Sequence, residues 1–111
     1  MYNKGFGGMG GGNMQNLMRQ AQKMQEEMLR QQKEAEEKLA NTVLSASSGG
    51  GMVTVEITGD KKITSVKIKP EAVDPDDVEM LEDMIQACVN EAISKANELE
   101  KEVKPNLLGG M

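Results

Sequence analysis

GGGMVTVEITGDKKITSVKIKPEAVDPDDVEMLEDMIQACVNEA, residues 49–92, carries most of the architectural information in this chain. Two runs within it, Met52–Thr58 and Ile63–Lys69, alternate apolar and polar residues with the period of a half-buried strand. Val53, Val55 and Ile57 share one face of the first run, and Thr64, Val66 and Ile68 share one face of the second. In a hairpin these faces coincide only if the connecting loop holds an even number of residues, because a one-residue slip inverts every side chain. A two-residue loop at Asp60-Lys61, or a four-residue one at Gly59–Lys62, meets that condition. Ile63 is then expected on the other face, with Lys67 and Lys69. Upstream, Thr42–Ser47 predicts a third short strand, turned by Ser47-Ser48-Gly49-Gly50.

Downstream, Asp74-Pro75-Asp76-Asp77 has the chemistry of a helix start. Asp74 serves as N-cap, Pro75 takes the first helical position, and the acids face the positive end of the helix dipole. Val78, Leu81, Ile85, Cys88, Ala92, Ala96, Leu99 and Val103 then recur at threes and fours, with Val89 and Ile93 widening the stripe. Lys101 and Lys104 suit the C-terminal end, and Pro105 stops the helix. Before the strands, Asn13 is the expected N-cap of a helix reaching about Ala40, a span free of Gly and Pro. Its apolar stripe is Met14, Leu17, Ala21, Met24, Met28, Ala35 and Leu39, interrupted by Gln31 and Gln32. So polar a helix of about seven turns needs a partner for that stripe, and coiled-coil-like pairing is the natural expectation.

Length confines the chain to one small domain. The division expected is a disordered glycine-rich tail over 1–12, a single domain over 13–104 and a loose tail over 105–111. Ten of the 111 residues are Met, and the only aromatics, Tyr2 and Phe6, lie in the glycine-rich start. The domain therefore has no aromatic ring to pack, and its Met-rich helical surface adapts to partners rather than fixing one packing. A homo-oligomer that completes the core between protomers is expected. A lone cysteine, Cys88, fits a reducing cytoplasm, and neither a membrane span nor a signal peptide is expected from the sequence.

The net charge of −5 argues against a generically basic nucleic-acid binder, but its distribution is uneven. Residues 1–41 carry six Lys/Arg against five Glu, a balance of +1. Residues 42–73 carry four Lys against three acids, again +1, and residues 74–111 carry three Lys against ten acids, −7. Lys4, Arg19 and Lys23 precede every acidic residue. Screening over about 8–10 Å lets a basic end and an acidic patch coexist on one molecule.

Catalytic chemistry finds little to use. Gly5, Gly7 and Gly10 match the dinucleotide fingerprint, but no strand precedes them to form the required turn. No histidine exists, so no His-based triad or Cys–His dyad can form. Cys88 sits on an apolar stripe, where burial is its ordinary role. The DPDD run lacks the glycine and terminal glutamate of a calcium loop. Neither an enzyme nor a cofactor or metal site is expected.

Three stretches together resemble the YbaB/EbfC family of bacterial nucleoid-associated proteins. They are NLMRQAQKMQEEM at 16–28, GGGMVTVEITGDKKITSVKI at 49–68 and PEAVDPDDVEMLEDMIQACVNEAISKA at 70–96. The resemblance implies an α+β fold of order α-β-β-β-α, with a three-stranded antiparallel sheet between long helices, in a dimeric, tweezer-like assembly. It also implies DNA as partner, no membrane and no small-molecule substrate, and a gene-regulatory role at the cytoplasmic nucleoid. Without aromatics in the domain, base stacking is closed and contacts would run chiefly from Lys/Arg to phosphate. The residues selected for that contact are Arg19, Lys23 and Arg30 on the first helix, aided by Lys101 and Lys104 on the second. The competing expectation is a helical protein-interaction module or holdase chaperone, which Met-rich helices and an acidic net charge favour.

Overall fold

A computed structural model describes residues 2–104, with side chains described from Asn13 onward. The elements are α1 (Tyr2–Asn41), β1 (Val43–Ser48), β2 (Val53–Thr58), β3 (Ile63–Ile68) and α2 (Val78–Val103), with a 3-10 turn at Pro70–Ala72. This is the predicted α-β-β-β-α order. The chain falls into two units, residues 1–34 and residues 35–111. The tail expected over 105–111 lies outside the described residues.

In the second unit the strands form one antiparallel sheet in the order β1-β2-β3. The β1–β2 turn is built on three successive glycines, Gly49, Gly50 and Gly51, at φ +62°, +66° and +91°. Only glycine occupies that left-handed region three times running without a Cβ penalty. The β2–β3 turn departs from the expected even loop. Thr58 donates its backbone N–H to Lys62 across 2.8 Å, leaving a three-residue loop of Gly59, Asp60 and Lys61. Lys61 adopts φ +69°, as the third residue of such a loop requires. The Thr58 hydroxyl, bonded to the Asp60 carboxylate and accepting from the Lys62 N–H at 3.0 Å, holds it closed.

That odd loop alone would put Val66 and Ile68 on the wrong face. A register shift between Glu56 and Ile57 corrects it: Ile57 pairs with Ile63 while Glu56 pairs with Ser65, leaving Thr64 as the extra residue. The two irregularities cancel. Val53, Val55 and Ile57 consequently face Ile68, Val66 and Ile63 directly, so Ile63 lies on the core face rather than with Lys67 and Lys69.

α2 packs chiefly against β1 and β2. The core joins Ala46, Val53, Val55 and Ile57 of the strands to Cys88, Ala92 and Ala96 of the helix, all buried. Small side chains on the helix permit close approach to the sheet, and the Cys88 thiol donates to the Ala46 carbonyl at 3.2 Å. Leu81, Ile85, Val89 and Leu99 flank the core half-buried, as their stripe predicts, whereas Val78 stays exposed. Leu39, at the end of α1, is 2% exposed. It packs against Gly59, whose N–H donates to the Leu39 and Thr42 carbonyls at 2.9 and 3.0 Å.

The start of α2 also differs from expectation. Asp77, not Asp74, is the N-cap, its side chain accepting from the Met80 N–H at 3.2 Å. Asp74 instead accepts from the Asp76 N–H at 2.9 Å, an Asx turn that folds the chain around Pro75 before the helix begins. Three acids in four residues offered both arrangements. The one observed satisfies both carboxylates.

Coverage of the sheet is incomplete. Ile63, Val66 and Ile68 on β3 remain 46%, 50% and 36% exposed, beside a row of strand residues that is fully buried. In the first unit, α1 starts at Tyr2, so Asn13 lies within the helix and does not cap it. A helix nucleated downstream continues by adding one residue at a time, and glycine raises the cost of each step without forbidding it. The predicted stripe is open there: Met14, Leu17, Met24 and Met28 are each 59–64% exposed.

Candidate nucleic-acid interface

The first unit carries the clearest concentration of accessible cations. At about 100° per residue, Arg19, Lys23, Arg30 and Lys33 fall within an arc of about 80° on α1. That arc lies opposite the stripe of Leu17, Ala21 and Met28. Glu26 is the single acid of residues 13–34 inside it. The separation follows from sequence spacing: the stripe recurs at threes and fours, and the cations sit near half a turn out of phase. Arg19, Lys23 and Arg30, selected from sequence, are thus brought onto one exposed helix face.

None of these cations is committed to a strong partner. Arg30 reaches Glu27 at 3.5 Å and Glu34 at 4.0 Å, with all three side chains 59–68% exposed. Exposed pairs of this kind contribute about 0–1 kcal/mol, so a phosphate displaces the carboxylate readily. A long helix face with four cations in 15 residues offers point charges and bidentate guanidinium donors to an anionic backbone. It offers no ring for stacking.

Lys101 and Lys104, the other sequence candidates, belong to the second unit and to the end of α2. Lys101 is exposed and lies 3.9 Å from Glu98. Lys104 is the C-cap residue, half-buried, with its N–H donated to the Glu100 carbonyl at 2.8 Å. Glu98, Glu100 and Glu102 lie in the same last turns of α2, making this a weaker cationic site than α1. At the opposite end of α2, Asp74, Asp76, Asp77 and Glu79 are all exposed and repel phosphate.

Sequence reasoning passed over two features. Lys62, Lys67 and Lys69 are exposed around β3, and the two-residue spacing of Lys67 and Lys69 on one strand was the available signal. Lys95, by contrast, is engaged: its Nζ donates to the Ser45 carbonyl at 2.7 Å, occupying a free acceptor on the edge strand β1. Lys61 likewise pairs with Glu100 at 3.2 Å, tying the β2–β3 loop to α2.

Among the described residues, no group of three or more His, Cys, Asp or Glu side chains is placed to hold a metal ion. No described helix is long and apolar enough to cross a membrane.

A three-stranded antiparallel sheet preceded and followed along the chain by a long helix, the first with an open cationic face, defines a small α+β protein suited to a polyanionic partner. The chain belongs to the YbaB/EbfC DNA-binding family, whose model matches residues 9–111. It is 52% identical to a nucleoid-associated protein of Clostridium acetobutylicum over 107 residues, covering 96% of this chain and 92% of that one. A nucleoid-associated protein of Clostridium botulinum is 54% identical over 105 residues, covering 95% of this chain and 89% of its own. The fold is shared with a crystal structure of an uncharacterised Helicobacter pylori protein at a TM-score of 0.72. That likeness spans 81% of this chain and 95% of the other, at 24% identity, and concerns the fold alone.

Proposed function

We propose that this chain binds DNA as a homodimer, mainly through phosphate contacts, as a non-enzymatic nucleoid-associated protein of the bacterial cytoplasm with a gene-regulatory role. The observation that carries this reading is the segregation of Arg19, Lys23, Arg30 and Lys33 on one exposed face of α1, opposite its apolar stripe. Membership of a DNA-binding family agrees with it. Lys101 and Lys104 add to the contact from α2. Phosphate contacts position a protein on the duplex without reading base sequence, so any preference arises from DNA shape and deformability.

The homodimer is supported by the uncovered part of the sheet. Ile63, Val66 and Ile68 continue the apolar face that α2 buries over β1 and β2, and all three remain open in the single chain. A second copy seated there removes that surface from water in both protomers, at about 25 cal/mol for each Å² of apolar area. Light scattering coupled to size exclusion should return twice the 12.1 kDa chain mass. A stable monomer at micromolar concentration contradicts the dimer.

The DNA surface is tested by changing Arg19→Glu and Lys23→Glu together. Binding should be abolished at matched salt while circular dichroism stays that of the parent. With roughly four phosphates neutralised, parental affinity should fall about a hundredfold between 50 and 200 mM salt. A double variant that binds as well as the parent refutes the α1 surface.

A further inference from the structure

Sulfur is placed unevenly in this molecule. Ten of the 111 residues are Met, and Met14, Met18, Met24 and Met28 all lie on α1 at 61%, 65%, 64% and 59% exposure. Met52 and Met84 of the second unit are half-buried, and the Cys88 thiol is buried in the core. Met80, in the first turn of α2, is the one other exposed Met among the described residues. Oxidants attack a thioether according to its access to solvent, so the readily oxidised sulfur of the described residues is concentrated on one helix.

That helix is also the element with least support. Residues 13–34 belong to a unit in which α1 is the only element, whereas α2 packs against β1 and β2. Most helices in folded proteins are held by packing of their apolar face, and one without it depends on the propensities of its residues. Met stands near the top of that scale because its unbranched side chain loses little freedom in a helix. Its sulfoxide is polar and carries an acceptor oxygen near the backbone, and side chains of that kind compete for backbone N–H groups. Four such changes within about four turns shift the helix toward coil.

The four thioethers stand outside the cation arc. Met14 and Met18 are four residues apart, as are Met24 and Met28, so each pair shares a face. At about 100° per residue none of the four falls within the arc of Arg19, Lys23, Arg30 and Lys33. Oxidation there alters no charge and covers no cation. It acts by dispersing the arc, which exists only while α1 is helical.

We infer that Met14, Met18, Met24 and Met28 form a reversible oxidation site that unwinds the exposed part of α1. In the forward step a hydroperoxide gives one oxygen to each Sδ. The sulfur lone pair forms the S–O bond, the O–O bond breaks, and water or an alcohol leaves. The thioether is oxidised and the peroxide reduced. Return takes a thiol-dependent sulfoxide reductase: two thiols become a disulfide and the oxygen leaves as water. The consequence for DNA rests on the reading above. A dispersed arc has to be reordered on binding, so the oxidised protein holds a duplex more weakly.

The test treats the full chain with graded hydrogen peroxide and follows peptide mass, circular dichroism and duplex binding at matched salt. Met14, Met18, Met24 and Met28 should each gain one oxygen before Met52 and Met84 do. Helical signal should then fall, and duplex affinity should drop about tenfold as ordering of α1 is added to the binding step. Methionine sulfoxide reductases acting on both sulfoxide epimers should restore helix and affinity. A Met14→Leu/Met18→Leu/Met24→Leu/Met28→Leu variant keeps the apolar face and Met80. It should pass through the same treatment with helix and affinity unchanged. Oxidation of the four no faster than Met84, or oxidation that leaves helicity or affinity at the untreated level, overturns the proposal. So does a variant that loses as much as the parent, or a loss that the reductases do not repair. A parent that binds no duplex before treatment refutes the DNA reading alone, and the mass and dichroism still decide the switch.

Discussion

Val55 on β2 and Met24 on α1 are both apolar side chains placed by a regular periodicity, yet Val55 is 0% and Met24 64% exposed. The second unit, with the sheet and α2, buries its stripe; the first unit, over its described side chains 13–34, does not. In the second unit, period-two strands and a period-3.6 helix meet face to face, and their small residues allow backbones to close up. In the first unit the same helical periodicity has nothing within that unit to meet. Amphipathic patterning therefore reports that a face will be covered, not by which chain. In the first unit, the open apolar face and the open cationic face together mark a surface for other molecules.

This contrast predicts a ranked series of stability effects. Ile57→Ala, in the centre of the core at 1% exposure, should cost about 3 kcal/mol in urea denaturation, since a cavity is left in a well-packed sheet–helix interface. Gly59→Ala comes next. A Cβ there would sit 2.8 Å from the Leu39 carbonyl oxygen, which is backbone and gives way poorly, so a loss of about 2 kcal/mol is expected. Asp77→Ala should cost about 1 kcal/mol through the lost N-cap, and Asp74→Ala should leave the helicity of α2 closer to the parent. If Asp74 proves the more damaging of the two, the capping assignment is reversed.

Smaller still, Cys88→Ala should cost on the order of 1 kcal/mol or less and leave DNA binding intact, because the thiol packs in the core and takes no part in the cationic face. At the bottom of the series, Met24→Ala should change stability by no more than about 0.5 kcal/mol in dilute protein, as expected of an exposed side chain. Its effect should grow with protein concentration if the apolar stripe of α1 pairs with a second copy. A large, concentration-independent loss would place Met24 in an intramolecular core and erase the contrast.

Much of the fold was legible because it rests on periodicity. The two strand runs, the α2 stripe through Cys88, Ala92 and Ala96, and the order of elements all follow from spacing. What escaped depends on specific hydrogen bonds. Ile63 was misplaced because a three-residue loop and a bulge at Thr64 each shift parity, and their cancellation leaves no trace in a hydrophobic pattern. The cap was displaced by three residues because Asp74 and Asp77 are equivalent in composition and differ only in which N–H each can reach. Of the candidate site, Arg19 and Lys23 were legible as cations ahead of the acids, and Arg30 as a cation about two turns further along the same helix. Their clustering opposite the stripe is implicit in the same helical spacing. The edge-capping role of Lys95 was not legible, since it depends on a contact between residues 50 apart in sequence.

The central claim is that the α1 cation face, and not the cations around β3, grips DNA. Lysine labelling of the intact protein, read by mass spectrometry with and without duplex DNA at one salt concentration, compares the two directly. Lys23 and Lys33 should become protected on adding DNA, while Lys62, Lys67 and Lys69, all exposed in the free chain, should label at an unchanged rate. Protection of Lys67 and Lys69 with Lys23 still fully reactive would contradict the account and move the interface to the sheet.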